Sequence, residues 1–177
     1  MTILRTLLLS CVFVHCSVLD ASEEKADSPV ATVWIFVAVD CPIANGCAPE
    51  INSIYDDFHK RGIAFHLVYP EPSLTTEEIT AHLEDYGFNM GFKHDIDHDY
   101  VKKAGVTITP EVAVFGGDGT LLYRGRINNR YSDYGDRRKA ATEHYLRDCL
   151  GQLLTGEPVT FHENDAIGCY IEALSGN

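Results

Sequence analysis

Cys41 is the residue of this chain best placed to do chemistry. It stands in Asp40-Cys41-Pro42-Ile43-Ala44-Asn45, after the apolar run Val33-Trp34-Ile35-Phe36-Val37 and before Ile51, Ile54, Tyr55 and Phe58 at helical spacing. The β-branched and aromatic run reads as a buried strand. Pro42 suits a first helical turn, and Pro49-Glu50-Ile51 opens the amphipathic part of the helix. Cys41 therefore falls at or near a helix N-cap. Unpaired N–H groups and the positive end of the helix dipole stabilise a thiolate there, and the thiolate is the reactive form of the sulfur. Asp40 is a candidate proton acceptor, and its charge works against the dipole by raising the thiol's pKa. Three residues on from Cys41, where a resolving thiol would sit, the chain has Ala44.

These residues resemble the thioredoxin-like superfamily, and within it the extracytoplasmic redoxin branch (AhpC/TSA-like) with an Asp-Cys-Pro-Ile-Ala-Asn signature. Phe36 lies five residues before Cys41, and Ala48-Pro49 lie seven and eight after it. Those are the offsets of the phenylalanine, the nucleophilic cysteine and the helix-kinking Ala-Pro in thioredoxins. About seventy residues downstream, Ile108-Thr109-Pro110 opens the hairpin Glu111 to Phe115, Gly116-Gly117-Asp118-Gly119, Thr120 to Ile127. The resemblance implies that Pro110 is a cis-proline facing the active-site sulfur, with Thr109 beside it. It implies an α/β, thioredoxin-like fold: a central mixed sheet flanked by helices, here with a C-terminal tail.

Stepping outward along the chain, the elements that must position Cys41 are legible. Ile63 to Tyr69 reads as a second buried strand, and Leu74 to Tyr86 as a helix starting near Thr75-Thr76 with Glu77 and Glu78 in its first turn. Phe88 to Ile96 is a short strand or extended segment, and His98 to Ala104 a short helix stopped at Gly105. A last helix is expected over Arg137 to Leu154, from the helical spacing of Ala141, Tyr145, Cys149 and Leu153. With 177 residues and 45% hydrophobic content the chain is long enough for one domain with its own core. The expected organisation is a signal peptide over 1–21, a polar lead-in over 22–29, the redoxin domain over 30–154, and a C-terminal extension over 155–177.

The signal-peptide reading rests on Arg5, the short apolar stretch from Leu7-Leu8-Leu9 to Val14, and polar residues from Asp20 onward. Ala21 is the best small residue for cleavage, and the mature protein is expected to be periplasmic or secreted. Of six cysteines, Cys11 and Cys16 leave with the signal, and Cys41, Cys47, Cys149 and Cys169 remain. Four cysteines in an oxidising compartment can pair in three ways. On a regular helix Cys41 and Cys47 are about 9 Å apart along the axis, which disfavours that pair. Cys149 and Cys47 read as small buried hydrophobes.

Cys169 belongs to Ala166-Ile167-Gly168-Cys169-Tyr170-Ile171, an apolar patch in a polar tail that must dock somewhere or remain exposed. Redoxin proteins with the signature above look similar here, ending in a Gly-Cys-aromatic or aliphatic motif. The resemblance makes Cys169 the candidate resolving partner of Cys41, with a structural tail thiol as the alternative.

Other chemistries find weaker footing. His94, Asp95, Asp97, His98 and Asp99 have metal-ligating side chains, but a solvated turn with a capped helix start is the expected reading, and no metal or cofactor is called for. Copper chaperones of this superfamily carry two cysteines four apart, whereas Cys41 and Cys47 are six apart. Peroxiredoxins need a hydroxyl residue three before the cysteine, and Ala38 stands there, although Arg124 or Arg126 could reach the sulfur. A net charge of −12 argues against nucleic acid or anionic membrane as partners. The resemblance implies a thiol-disulfide oxidoreductase in which Cys41 attacks a partner disulfide, Thr109 and Pro110 offer backbone groups to the partner, and Cys169 resolves the intermediate. Its partners would be protein thiols or disulfides and a thiol reductant. A peroxiredoxin-like peroxidase and a non-catalytic redoxin-fold module are the alternatives.

Overall fold

Alternation of side chains along the central strands decides the layering of the molecule. In this computed structural model, which describes residues 28–159 and 161–174, β1 (Ala31–Phe36) turns Ala31, Val33 and Ile35 to one face of a sheet and Phe36 to the other. The signal-peptide segment and most of the lead-in lie outside the described residues. Helix α1 (Pro42–Phe58) follows, then β2 (Ile63–Tyr69), α2 (Thr76–Asp85), β3 (Gly91–His94), α3 (Asp99–Ala104) and β4 (Ile108–Thr109). The hairpin β5 (Glu111–Gly116) and β6 (Leu121–Gly125) comes next, then the small hairpin β7 (Tyr131–Asp133) and β8 (Asp136–Arg137), α4 (Tyr145–Thr155), β9 (His162–Glu163) and β10 (Cys169–Tyr170).

Six strands form a mixed sheet in the order β3-β2-β1-β5-β6-β9, with β1 parallel to β2 and antiparallel to β5. Residues from α1, α2 and α4, among them Ile51, Ile54, Ile79 and Leu150, share one core with Val33, Ile35, Leu67 and Val112. Ala104 of α3 packs on the opposite face with Phe36, Val68, Ala113 and Phe115. This is the α/β arrangement expected from the sequence, a mixed sheet with helices on both faces.

Local chemistry sets the helix ends. Thr75 caps α2: its side chain accepts from the Glu78 N–H, while the Glu78 carboxylate accepts from the Thr75 N–H at 2.8 Å. Replacing Thr75 by alanine removes that reciprocal pair and is expected to cost about 1 kcal/mol, read as a lower urea midpoint at unchanged slope. Helix α3 stops at Gly105, whose φ of 70° a β-carbon would oppose. Arg147 of α4 ties it to α1, donating to Glu50 and Asp57 at 2.8 and 2.6 Å and to the Ser53 hydroxyl.

The last helix is shorter than its spacing predicts. It begins at Tyr145, not Arg137, so Ala141 is not part of it. The buried Asn129 side chain takes over the backbone there: its carbonyl oxygen accepts from the Thr142 and Glu143 amides at 2.8 and 3.1 Å. Its amide donates to the Thr142 hydroxyl. Arg137 instead belongs to the β7–β8 hairpin, an element with no counterpart in the sequence reading. Phe88 to Ile96 contributes only the strand Gly91–His94.

Candidate active site

Cys41 is the N-cap of α1, with extended backbone angles (φ −80°, ψ 109°) that let its sulfur face the helix's first amides. Its Sγ accepts from the Ala44 N–H at 3.5 Å and donates to the Thr109 carbonyl at 3.1 Å. The Thr109–Pro110 peptide bond is cis. Thr109 is itself buried, on the two-residue strand β4. Cys41 has no solvent-accessible surface.

The C-terminal tail closes over this corner. Strand β10 pairs antiparallel with β4, bringing Cys169 opposite Thr109 and Tyr170 opposite Ile108. The Ile171 amide donates to the Thr107 carbonyl at 2.9 Å, and the Thr109 hydroxyl donates to the Cys169 carbonyl at 3.4 Å. Ile167 packs on the larger core and Ile171 on the smaller one, so the two isoleucines of the tail's apolar patch dock while Tyr170 remains exposed. Cys169 thus lies beside Cys41, whose thiol donates to the same Thr109, and Tyr134 at the tip of the β7–β8 hairpin lines the surface next to it. Burial, then the Cys41 sulfur beside it, then the Asp40 charge push the Cys169 thiol up to about 12.

The remaining expected site residues take different positions. Asp40 is exposed, and its charge bears on Cys169. The backbone of Thr109, expected to receive a partner chain, is already paired with the protein's own tail. Cys47 and Cys149 are buried in the larger core, and burial pushes their thiols up to about 12 and about 11. Among the described residues, Cys41, Cys47, Cys149 and Cys169 are not joined by a disulfide. The arginines offered for peroxide chemistry are engaged with the tail: Arg124 pairs with Glu163 and donates to the Gly105 carbonyl, and Arg126 donates to the Asp165 carbonyl.

The acidic, histidine-containing turn is structural. Asp95 accepts from the Tyr100 and Val101 amides at the start of α3, and His94 and His98 bond to the carbonyls of Glu71 and Pro70. Among the described residues, no group of three or more potential ligands could hold a metal ion.

Three features escaped the sequence reading. One is a chain of hydrogen bonds, from the buried Tyr69 and His82 to the half-buried Asn45 and the Val39 carbonyl, that anchors the loop before Cys41. Asn45 was visible in the motif, but its partners lie as many as 37 residues away. The second is the pair of exposed tyrosines, Tyr134 and Tyr170, that flank Cys169. The third is the close approach of Gly168 to β4.

No family model and no curated protein matches this chain. Solved structures do. A hypothetical protein from Sinorhizobium meliloti 1021 is 22% identical with a TM-score of 0.72, covering 84% of this chain and 82% of that one. An uncharacterized conserved protein from Geobacillus kaustophilus is 23% identical with a TM-score of 0.71, over 85% of this chain and 80% of that one. A thioredoxin-like protein solved in its oxidized form is 15% identical with a TM-score of 0.55, over 73% of this chain and 81% of that one. Together with the mixed sheet and its flanking helices, these similarities establish that the chain has a thioredoxin-like fold.

Proposed function

We propose that this protein is an extracytoplasmic thiol-disulfide oxidoreductase of the redoxin type, cycling between a Cys41/Cys169 dithiol and a Cys41–Cys169 disulfide. The observation that supports the reading is the docking of β10 on β4, which sets Cys169 opposite Thr109, the residue whose carbonyl receives the thiol of Cys41 at the N-terminus of α1. Two sulfurs held together by backbone pairing react as if at very high local concentration, while a tail held by two short strands can leave and return. Cys41 is the inner nucleophile of the pair, with the Ala44 N–H and the end of α1 to hold its thiolate. Cys47 and Cys149, buried in the core, take no part.

A disulfide map of the non-reduced protein tests this. The expected result is one Cys41–Cys169 crosslink that forms under mild oxidation and opens with dithiothreitol, with Cys47 and Cys149 alkylated only after unfolding. A crosslink involving Cys47 or Cys149, or none at all after treatment with diamide, rules the two-cysteine cycle out.

A further inference from the structure

The two sulfurs differ sharply in access. Cys41 has no exposed surface, whereas Cys169 is part-exposed and lines an open groove of about 530 Å³ that Cys41 does not reach. Asp40, Glu71 and Glu172 line that groove together with Pro42, Tyr134 and Tyr170, and among the described residues no lysine or arginine lines it. We propose that partners exchange disulfides at Cys169, not at Cys41, and that the groove selects a cationic, cysteine-bearing partner. This rests on the two-cysteine reading above and names the sulfur and the partner class within it.

The step runs as follows. A partner thiolate enters the groove and attacks Sγ of Cys169 in the oxidised protein. The partner–Cys169 S–S bond forms as the Cys169–Cys41 bond breaks, and the electron pair leaves on Cys41. That thiolate faces the first turn of α1, with the Ala44 N–H directed at it, and then takes up a proton. A second partner thiolate attacks the partner sulfur of the mixed disulfide and releases Cys169, which is protonated in turn. Two partner thiols become one disulfide, and two electrons and two protons arrive on the protein. Read backwards, the same steps reduce a partner disulfide, with Cys41 expelling the bound partner.

The polarity of the exchange follows from leaving-group quality as well as access. Thiol exchange favours expulsion of the sulfur whose thiolate is better stabilised. The Cys41 sulfur faces the Ala44 N–H at the end of α1, while Cys169 sits beside the Asp40 carboxylate. The three groove carboxylates add an attraction for positive charge, in a chain whose net charge is −12.

The full-length oxidised protein is exposed briefly to cysteamine, quenched with N-ethylmaleimide and mapped by mass spectrometry. The expected adduct is cysteamine on Cys169 with maleimide on Cys41. The opposite labelling overturns the proposal while leaving the two-cysteine cycle intact, and absence of any Cys41–Cys169 disulfide beforehand overturns both. Reduction rates are then compared for cysteamine, 2-mercaptoethanol and 3-mercaptopropionate, each normalised to its thiolate concentration and to its rate with a free small disulfide. Cysteamine is expected to exceed mercaptopropionate by about tenfold at low salt, with the gap narrowing at high salt and in Glu172→Gln. Equal normalised rates, or a faster anion, rule out the cationic selection.

Discussion

Gly168→Ala is expected to separate the two sulfurs without touching either of them. A β-carbon at Gly168 would lie 1.9 Å from the Thr109 carbonyl oxygen, 2.6 Å from its carbon and 3.0 Å from Cγ2 of Ile108. No real β-carbon sits so close, and the first two atoms are backbone in the strand that β10 pairs with. The added methyl must therefore push the tail off β4 or bend β4 itself. Bending β4 would disturb the Thr109 carbonyl that receives the Cys41 thiol, so lifting the tail is the cheaper response. The variant exchanges a docked thiol for one at the end of a loose chain. Effective concentrations of flexibly tethered groups are in the millimolar range, far below those of oriented pairs. The equilibrium constant for forming the Cys41–Cys169 disulfide against glutathione is expected to fall by about a hundredfold. Cys41, now uncovered, should be alkylated faster than in the parent. An unchanged redox equilibrium would mean that the tail does not need β4 to bring its cysteine home.

The same contact explains why the tail carries a Gly-Cys pair. The glycine is there for close approach of two backbones, and the cysteine follows because the next residue on β10 lies opposite Thr109. Sequence order could not reveal this, since the strands are two residues long and about sixty residues apart. What the sequence does expose are elements with strong local signals. The β5–β6 hairpin is legible because Gly-Asp-Gly punctuates two apolar runs, and α2 because Glu77 and Glu78 occupy a first turn after Thr75-Thr76. The spacing of Ala141, Tyr145, Cys149 and Leu153 extends the last helix too far back, because the group that breaks the pattern, Asn129, lies outside it upstream. Cys41 was identifiable from its strand-to-helix position alone, but not the fact that it is fully covered. Its burial, the place of the tail on β4 and the opening of the groove onto Cys169 are long-range packing outcomes that no local pattern encodes.

Asn45→Ala is expected to be the most damaging single change near Cys41 that leaves both sulfurs in place. The Asn45 amide donates to the Val39 carbonyl at 2.9 Å, which directs its oxygen toward His82 Nε2, also at 2.9 Å. His82 must then carry its proton on Nε2, so Nδ1 accepts from the Tyr69 hydroxyl at 2.8 Å. Alanine leaves the Val39 carbonyl and the buried His82 N–H without partners. The half-exposed Val39 carbonyl can turn to water, so the loss in unfolding free energy is set by the stranded His82 N–H and should be about 1–3 kcal/mol. The chain also favours a neutral imidazole, because a proton on Nδ1 would turn the Tyr69 hydroxyl from donor to acceptor and leave its own hydrogen to find another partner. Burial holds the His82 pKa below its ordinary 6.5, against a smaller opposing pull from Asp85. The unfolded chain therefore binds a proton first as pH falls past 6.5. Bound protons are then more numerous in the unfolded state, so stability drops on acidification through the window between 6.5 and the lower native value. Above that window His82 contributes no slope. Asn45→Asp puts a carboxylate against Nε2, which favours the imidazolium and should flatten or reverse this dependence. Urea midpoints for the parent and both variants between about pH 5 and 8 provide the measurement. A parent whose stability does not fall toward pH 5 more steeply than that of Asn45→Asp, or an Asn45→Ala variant within about 0.5 kcal/mol of the parent at pH 7, would show that this chain does not hold the Cys41 loop in place.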